Sequence, residues 1–170
     1  FSNRAGNFAT DYLTARGERL CCAYENGVLK VEQQGNSSFV TLFSGTSFAT
    51  PQVAGAVALL AQAFPNLTGQ QIVEILLDTA RDAGAAGTDA IYGRGILDLV
   101  GAFAPQGATS MAGTQRPLSL ADDIVIASGP MGDAMRGASL PGLVLDKYDR
   151  AYTYDLASRA RVASADRLLE

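Results

Sequence analysis

Ser47 is the residue of this chain best placed to act as a nucleophile. It lies in a Gly45-Thr46-Ser47 turn that leads directly into a long apolar segment, residues 47–63, with helical character. A helix N-terminus offers free backbone N–H groups and the positive end of the helix dipole, so an oxyanion forming beside Ser47 would meet prearranged donors. This pattern is typical of acyl transfer. The structural alternative is an N-cap serine, which stabilises a helix by about 1 kcal/mol.

The chain contains no histidine. A serine nucleophile normally needs an imidazole base to accept its proton. Without that base, binding and the oxyanion hole together leave only about 10³–10⁴-fold catalysis over water. We therefore expect this chain to be inactive alone and to depend on other polypeptide for the proton acceptor.

The elements that must position Ser47 are predicted from periodicity and turn signals. Small apolar residues predict a buried, soluble helix over 47–63, with Pro51 in its first turns, where a missing N–H costs least. Before this helix, Asn26-Gly27 predicts a type I′ hairpin, and residues 39–43 predict a strand that leads into the serine turn. After it, residues 68–71 form a capping-box pattern that predicts a second helix.

The composition changes after residue 104. Residues 1–104 are interpreted as one domain, residues 105–121 as a linker, and residues 122–170 as a β-rich extension. The strand candidates of this extension are Ile124–Ile126, Leu143–Leu145 and Ala151–Leu156.

Charge and hydropathy exclude two classes of partner. The net charge is −4 and the pI is near 4.8, which argues against nucleic acid, because phosphate binding needs clustered Lys and Arg. No stretch has the length and apolarity of a membrane span.

Two further groups of residues could do chemistry. The adjacent Cys21 and Cys22 are expected to be free thiols, with a redox or intermolecular role as the alternative. A calcium site is conceivable at four carboxylates, but solvated surface carboxylates are the expectation. Those four are Asp122, Asp123, Asp146 and Asp149. The cluster Tyr148, Tyr152 and Tyr154 alternates like a strand face and predicts sheet packing.

Residues 45–55 read Gly-Thr-Ser-Phe-Ala-Thr-Pro-Gln-Val-Ala-Gly. They resemble the nucleophile motif of the subtilisin-like serine proteases, Gly-Thr-Ser-x-Ala-x-Pro-x-Val-Ala-Gly, at every fixed position. The positions that support the match include Gly45, Thr46, Ala49 and Pro51. The resemblance covers about residues 1–104 and includes three weaker flanking matches. These are Phe1–Gly6 with a Phe-Ser-x-x-Gly turn, Asp11–Gly17 with a strand and an Ala-Pro-Gly turn in which Arg16 replaces proline, and Tyr92–Asp98 with a closing Tyr-Gly-x-Gly segment.

The resemblance implies an α/β fold, with a doubly wound, mostly parallel sheet flanked by helices. It implies that Ser47 is the nucleophile and that its backbone N–H is an oxyanion donor. Phe43 and Ser44 would lie on the leaving-group side of the cleft. The catalytic Asp and His and the oxyanion-hole Asn would belong to an upstream segment of the same protease. No cofactor is implied, and although intact family enzymes can bind calcium, no metal site is identified in this chain.

The C-terminal part resembles the segment that follows the protease domain in subtilisin-like autotransporters of Gram-negative bacteria. The matching residues are 129–135 and the run Leu143–Tyr152. This resemblance implies a secreted protein or one at the outer membrane or cell surface, with membrane contact only through a barrel absent from this chain. The alternative is an ordinary β-rich appendage.

The sequence thus predicts a serine-type endopeptidase acting on protein or peptide substrates once the upstream segment completes it. Two alternatives remain open. The chain could be a non-catalytic assembly or surface-display module with some self-association, or a fragment of a pseudoprotease.

Overall fold

The computed structural model describes residues 2–114, 116–119, 125–127 and 138–162, and the backbone alone at 125–127 and 159–162. The chain divides into two compact units, Phe1–Ala104 and Pro105–Glu170. Several residues singled out in the sequence lie outside the described residues. They are Phe1, Asp122, Asp123, Ile124 and residues 129–135.

The strands of the first unit are short and pair in antiparallel fashion as β1 with β6, β2 with β3 and β4 with β5. They follow a 3-10 helix at Gly6–Asp11. Their bounds are β1 Leu20–Cys21, β2 Tyr24–Glu25, β3 Val28–Leu29, β4 Val31–Gln34, β5 Ser37–Val40 and β6 Leu42–Phe43.

The predicted hairpin at Asn26-Gly27 is confirmed. Asn26 has φ 53° and Gly27 has φ 78°, so both central residues adopt the left-handed backbone that a type I′ turn requires. The predicted strand over 39–43 is present as two pieces, the end of β5 and the whole of β6. β6 then runs directly into the serine turn.

The helices are α1 Thr46–Ala63, α2 Gly69–Asp78 and α3 Leu99–Phe103. The predicted capping box is confirmed at the start of α2. The Gln71 N–H donates to the Thr68 hydroxyl at 3.2 Å, and the Thr68 N–H donates to the Gln71 side-chain oxygen at 2.8 Å. These bonds satisfy N–H groups that the helix itself cannot satisfy.

The expectation that α1 is a buried helix is wrong for this chain. Of its 18 residues only Ala56 and Leu60 are buried. Leu59 is 48% exposed and Phe48 38% exposed. The reason is that α2 is the helix that packs against α1, so the remaining faces of α1 lack cover from the described part of the unit.

The closing segment of the first unit is held by backbone pairing at Ile96. This residue forms a parallel bridge with Thr14 and an antiparallel bridge with Arg81. Within the described residues of this unit, the Thr14–Ile96 bridge is the one parallel backbone pairing. The doubly wound parallel sheet therefore stays a prediction. The unit does combine helices with strands.

The second unit contains an antiparallel sheet in the order β7-β9-β10 and a parallel pair of β8 with β11. The strands predicted around 143–145 and 151–156 are confirmed. The bounds are β7 Ser110–Met111, β8 Val125–Ala127, β9 Pro141–Leu145, β10 Ala151–Asp155 and β11 Ala160–Val162, with a 3-10 helix at Leu156–Arg159.

The linker predicted over 105–121 is not an open linker where it is described. β7 pairs with β9 through Ser110 and Met111. The Lys147 N–H donates to the Gln106 carbonyl at 3.0 Å, and the Leu118 N–H donates to the Thr109 carbonyl at 2.8 Å. Backbone hydrogen bonding therefore folds this segment into the second unit, which its Gly, Pro and Ser content did not indicate.

Asp146 is a further correction, because it is buried rather than solvated. Its carboxylate and the Arg150 guanidinium form an ion pair at 2.7 Å, with both side chains fully buried. The Asp146 carboxylate also accepts the N–H groups of Gln106, Tyr148 and Arg150. Asp149, by contrast, is exposed as expected. Tyr148 lies in the turn before β10 and not on the strand that the alternation predicted.

The cysteines also require a correction, since the structure bonds Cys21 to Cys22 and neither is a free thiol. The expectation of free thiols rested on disulfide geometry, which favours Cα atoms about 4.4–6.8 Å apart with opposed Cβ vectors. The peptide bond between them is cis, and their Cα atoms are 3.1 Å apart.

The described residues contain neither a membrane-spanning helix nor a metal-binding cluster. None of their helices is long and apolar enough to cross a bilayer. No three of their His, Cys, Asp or Glu side chains gather closely enough to hold a metal ion.

Candidate active site

Ser47 is the second residue of α1, and its side chain is exposed. The N-cap is Gly45, so Ser47 is not an N-cap serine. The Ser47 hydroxyl makes no hydrogen bond to another described residue, which leaves it available to a base and a substrate. Its N–H belongs to the first helical turn and has no partner within the helix, as an oxyanion donor requires.

The turn before Ser47 is docked on the loop that follows Thr14. The Gly45 N–H donates to the Gly17 carbonyl at 2.7 Å, and the Arg19 N–H donates to the Ser44 hydroxyl at 3.0 Å. The fit is close, because a Cβ placed on Gly17 would lie 2.8 Å from the Gly45 carbonyl oxygen. Only glycine allows this approach of the two backbones.

The predicted leaving-group residues flank this turn. The Phe43 ring packs against the Phe48 ring with centroids 5.5 Å apart, so the two rings form an apolar rim beside Ser47. Ser44 is exposed, and its hydroxyl accepts the Arg19 N–H. The structure thus brings both residues next to Ser47, while their contact with a substrate remains a prediction.

The motif residues have distinct local roles. Gly45 has an extended backbone at the N-cap, and the Thr46 carbonyl accepts the Thr50 hydroxyl at 3.2 Å. Ala49 lies under Gly17, where the small side chain permits the loop to approach. Pro51 is the sixth residue of α1. It lies about one turn beyond the first helical positions, whose N–H groups have no partner within the helix. The N–H that it lacks is the one that would bond to the Ser47 carbonyl.

Sequence reasoning missed Gln52 as a contact of this site. Its side-chain nitrogen donates to the Arg16 carbonyl at 2.5 Å and to the Phe48 carbonyl at 2.8 Å. Gln52 falls at a variable position of the nucleophile motif, and Arg16 lies 36 residues earlier. A local pattern contains no signal for such a contact.

Among the described residues of the first unit, the group with a clearly shifted pKa is the Asp89 carboxyl. The Asp89 carboxylate accepts the N–H groups of Tyr92 at 2.8 Å, Ile91 at 2.6 Å and Ala85 at 3.1 Å. The bonds from Tyr92 and Ile91 are the main cause of a pKa below the ordinary value of Asp89. This carboxylate fixes the loop from which the closing segment emerges.

Comparison with known proteins places this site in a family. A sequence model of the subtilase family, peptidase family S8, matches residues 1–95, which is more than half of the chain. The chain belongs to the subtilase family. The match includes the serine turn, the loop docked on it and the loop around Asp89.

Several bacterial proteins are similar to parts of this subtilase chain. An extracellular serine protease of Serratia marcescens is 40% identical over 45% of this chain and 7% of its own length. Mycosin-1 of Mycobacterium tuberculosis is 44% identical over 54% of this chain and 20% of its own length. The autotransporter lipoprotein NalP of Neisseria meningitidis is 46% identical over 32% of this chain and 5% of its own length. This chain therefore spans at most a fifth of the length of these relatives.

A solved structure of the serine protease MycP1, described as an essential component of the type VII (ESX-1) secretion system, also resembles this subtilase chain. The sequence identity is 36%, and the alignment covers 37% of this chain and 17% of that one, with a TM-score of 0.33.

Proposed function

We propose that this chain is the nucleophile-bearing part of a subtilisin-like serine endopeptidase. The observation that carries the proposal is the exposed Ser47 in the first turn of α1, inside a Gly-Thr-Ser turn of a subtilase chain. An upstream segment supplies the histidine, the aspartate and the oxyanion-hole asparagine. The complete protease, meaning this chain together with that segment, is the active species, and this chain alone is inactive.

The reaction is acyl transfer followed by hydrolysis. The Ser47 oxygen attacks the peptide carbonyl carbon, and its proton passes to the histidine, which the aspartate orients. The oxyanion accepts hydrogen bonds from the Ser47 N–H and the asparagine. The C–N bond then breaks, and the departing amine takes the proton from the histidine. Water, deprotonated by the same histidine, releases the acyl group and restores Ser47.

The surface of α1 supports completion by other polypeptide. Its 18 residues include no charged side chain, yet most of them are exposed. A helix that is apolar all round is normally buried. A cavity of about 500 Å³ also opens beside α1, with Gly55, Leu59, Leu97 and Val100 among its lining residues. We propose that the upstream segment covers this surface and brings the histidine to Ser47.

The location follows from the relatives rather than from the geometry. NalP is named an autotransporter, and the Serratia protease is named extracellular. We propose a secreted protein or one at the surface of a Gram-negative bacterium. The second unit then acts as the junction after the catalytic domain, and the substrates are proteins or peptides.

Labelling with a fluorophosphonate tests the proposal, because this reagent modifies only an activated serine. The complete protease is expected to gain one label on Ser47, the Ser47→Ala variant none, and this chain alone none. Labelling of Ser47 at the same rate in this chain alone would show that no upstream base is needed. A complete protease that resists the label despite an intact fold would instead be a pseudoprotease or an assembly module.

A further inference from the structure

Residues 16–19 form a loop that holds the backbone immediately before Ser47. We call it the clamp loop. It accepts the Gly45 N–H at the Gly17 carbonyl and donates the Arg19 N–H to the Ser44 hydroxyl. Its position therefore determines where the serine turn lies, and through the turn where the Ser47 oxygen lies.

Gln52 ties the clamp loop to α1. One side-chain N–H donates to the Arg16 carbonyl at 2.5 Å and the other to the Phe48 carbonyl at 2.8 Å. A carboxamide nitrogen carries two hydrogens, so both donors are used. One acceptor belongs to the loop, and the other belongs to the residue after Ser47. The carboxamide thus spans the two backbones that must keep their relative position during catalysis.

The Arg16 side chain stiffens the same loop. Its guanidinium donates to the Glu18 carbonyl at 3.2 Å and to the Arg19 carbonyl at 3.4 Å. These bonds restrain the loop at a position where a proline would have restrained it covalently. The clamp loop is therefore held both by hydrogen bonds of its own Arg16 side chain and by the hydrogen bond from Gln52 on α1.

From these contacts we infer that Gln52 is a positioning residue for the nucleophile: its carboxamide fixes the clamp loop against α1 and so orients the Ser47 turn. This inference rests on the proposed function of Ser47. Reacting groups must be held within a fraction of an ångström, and a 1 Å misplacement costs about 100-fold in rate. A residue that touches neither substrate nor base can therefore control kcat.

The main test is steady-state kinetics of the complete protease carrying Gln52→Met, which has a similar length but no donor. We expect kcat per labelled active site to fall by about 10- to 100-fold with KM nearly unchanged. The matched control is Gln70→Met, an exposed position of α2, which should leave both constants unchanged. Equal kcat in the two variants would overturn the inference.

A pH profile separates positioning from a purely structural role. The Gln52→Glu side chain keeps the shape but, when ionised, presents oxygens to two carbonyls and cannot donate. When protonated it regains one donor. The ratio of variant to parent kcat should therefore rise as the pH falls from 8 towards 5. A ratio that is constant with pH, together with a lowered melting temperature, would assign Gln52 a structural role only.

Amide hydrogen exchange keeps the two proposals apart. If the complete protease shows no activity at all, the proposed function fails, but exchange still reports on the clamp. Gln52→Met should speed exchange at the Gly45 and Arg19 amides, whose acceptors are Gly17 and Ser44, whereas Gln70→Met should not. Unchanged exchange in both variants would refute the clamp whatever the activity.

Discussion

Replacing Gly17 by alanine tests the close approach on which the serine turn depends. The added Cβ would lie 2.8 Å from the Gly45 carbonyl oxygen, 3.4 Å from the Gly45 carbonyl carbon and 3.6 Å from the Ala49 Cβ. The first contact is too short to exist, and the opposing atom is backbone, so the loop and the turn must separate. Separation also weakens the Gly45–Gly17 hydrogen bond of 2.7 Å.

Overpacking of this kind costs about 1–3 kcal/mol, and a weakened hydrogen bond adds roughly 1 kcal/mol. For a catalytic domain of roughly 150–250 residues, a total loss of about 2–4 kcal/mol lowers the melting temperature by roughly 4–16 °C. We therefore expect Gly17→Ala to lower the melting temperature of the complete protease by that amount. We also expect it to slow fluorophosphonate labelling of Ser47, because the turn moves.

Calorimetry and labelling kinetics on the same preparations provide the measurement. Gly69→Ala is the matched control, since a Cβ there meets nothing within 4 Å and the backbone is already helical. The control should leave the melting temperature unchanged or raise it slightly. If Gly17→Ala melts and labels like the parent protein, the two backbones are not in contact, and the account of how the turn is held is wrong.

Two further predictions concern buried and hydrogen-bonded charges. Arg150→Met should lower the free energy of unfolding of the second unit by about 3–5 kcal/mol, because it leaves the Asp146 carboxylate buried without its cation. Urea unfolding measures this, and the double variant with Asp146→Asn should recover part of the loss, because it removes the buried charge and keeps an oxygen for the backbone N–H groups. Asp89 has a folded-state pKa below its ordinary value of 3.8, so its contribution to stability is present above pH 3.8 and is lost as the pH falls below it. Asp89→Asn should therefore flatten the acid side of the stability profile, and an unchanged profile would contradict the hydrogen bonding described for that loop.

Local signals predicted the elements around the site well. The hairpin at Asn26-Gly27 and the capping box at Thr68 depend on residues within one turn, so their chemistry can be read from adjacent positions. The start of α1 followed from the change from a Gly-Thr-Ser turn to an apolar run. The same reasoning placed Ser47 in the first helical turn, where the structure has it.

Non-local relations were not predictable in this way. The exposure of α1 depends on which elements cover it. The hydrogen bond from the Gln52 side chain to the Arg16 carbonyl joins residues 36 positions apart. Asp146 was expected in solvent because an isolated carboxylate prefers water, and its burial depends on meeting Arg150 across the turn between β9 and β10. The parallel sheet stays a prediction for the same reason, since strands acquire their direction only from neighbours.

The exposed, uncharged surface of α1 bears on when the proposed protease could first cleave a substrate. Under the proposed function, α1 gains its cover and Ser47 gains its proton acceptor from one event, the arrival of the polypeptide that carries the histidine. Before that event the hydroxyl is inert, and the helix favours association over cleavage. Under the same proposal, folding and the onset of proteolysis would be a single step.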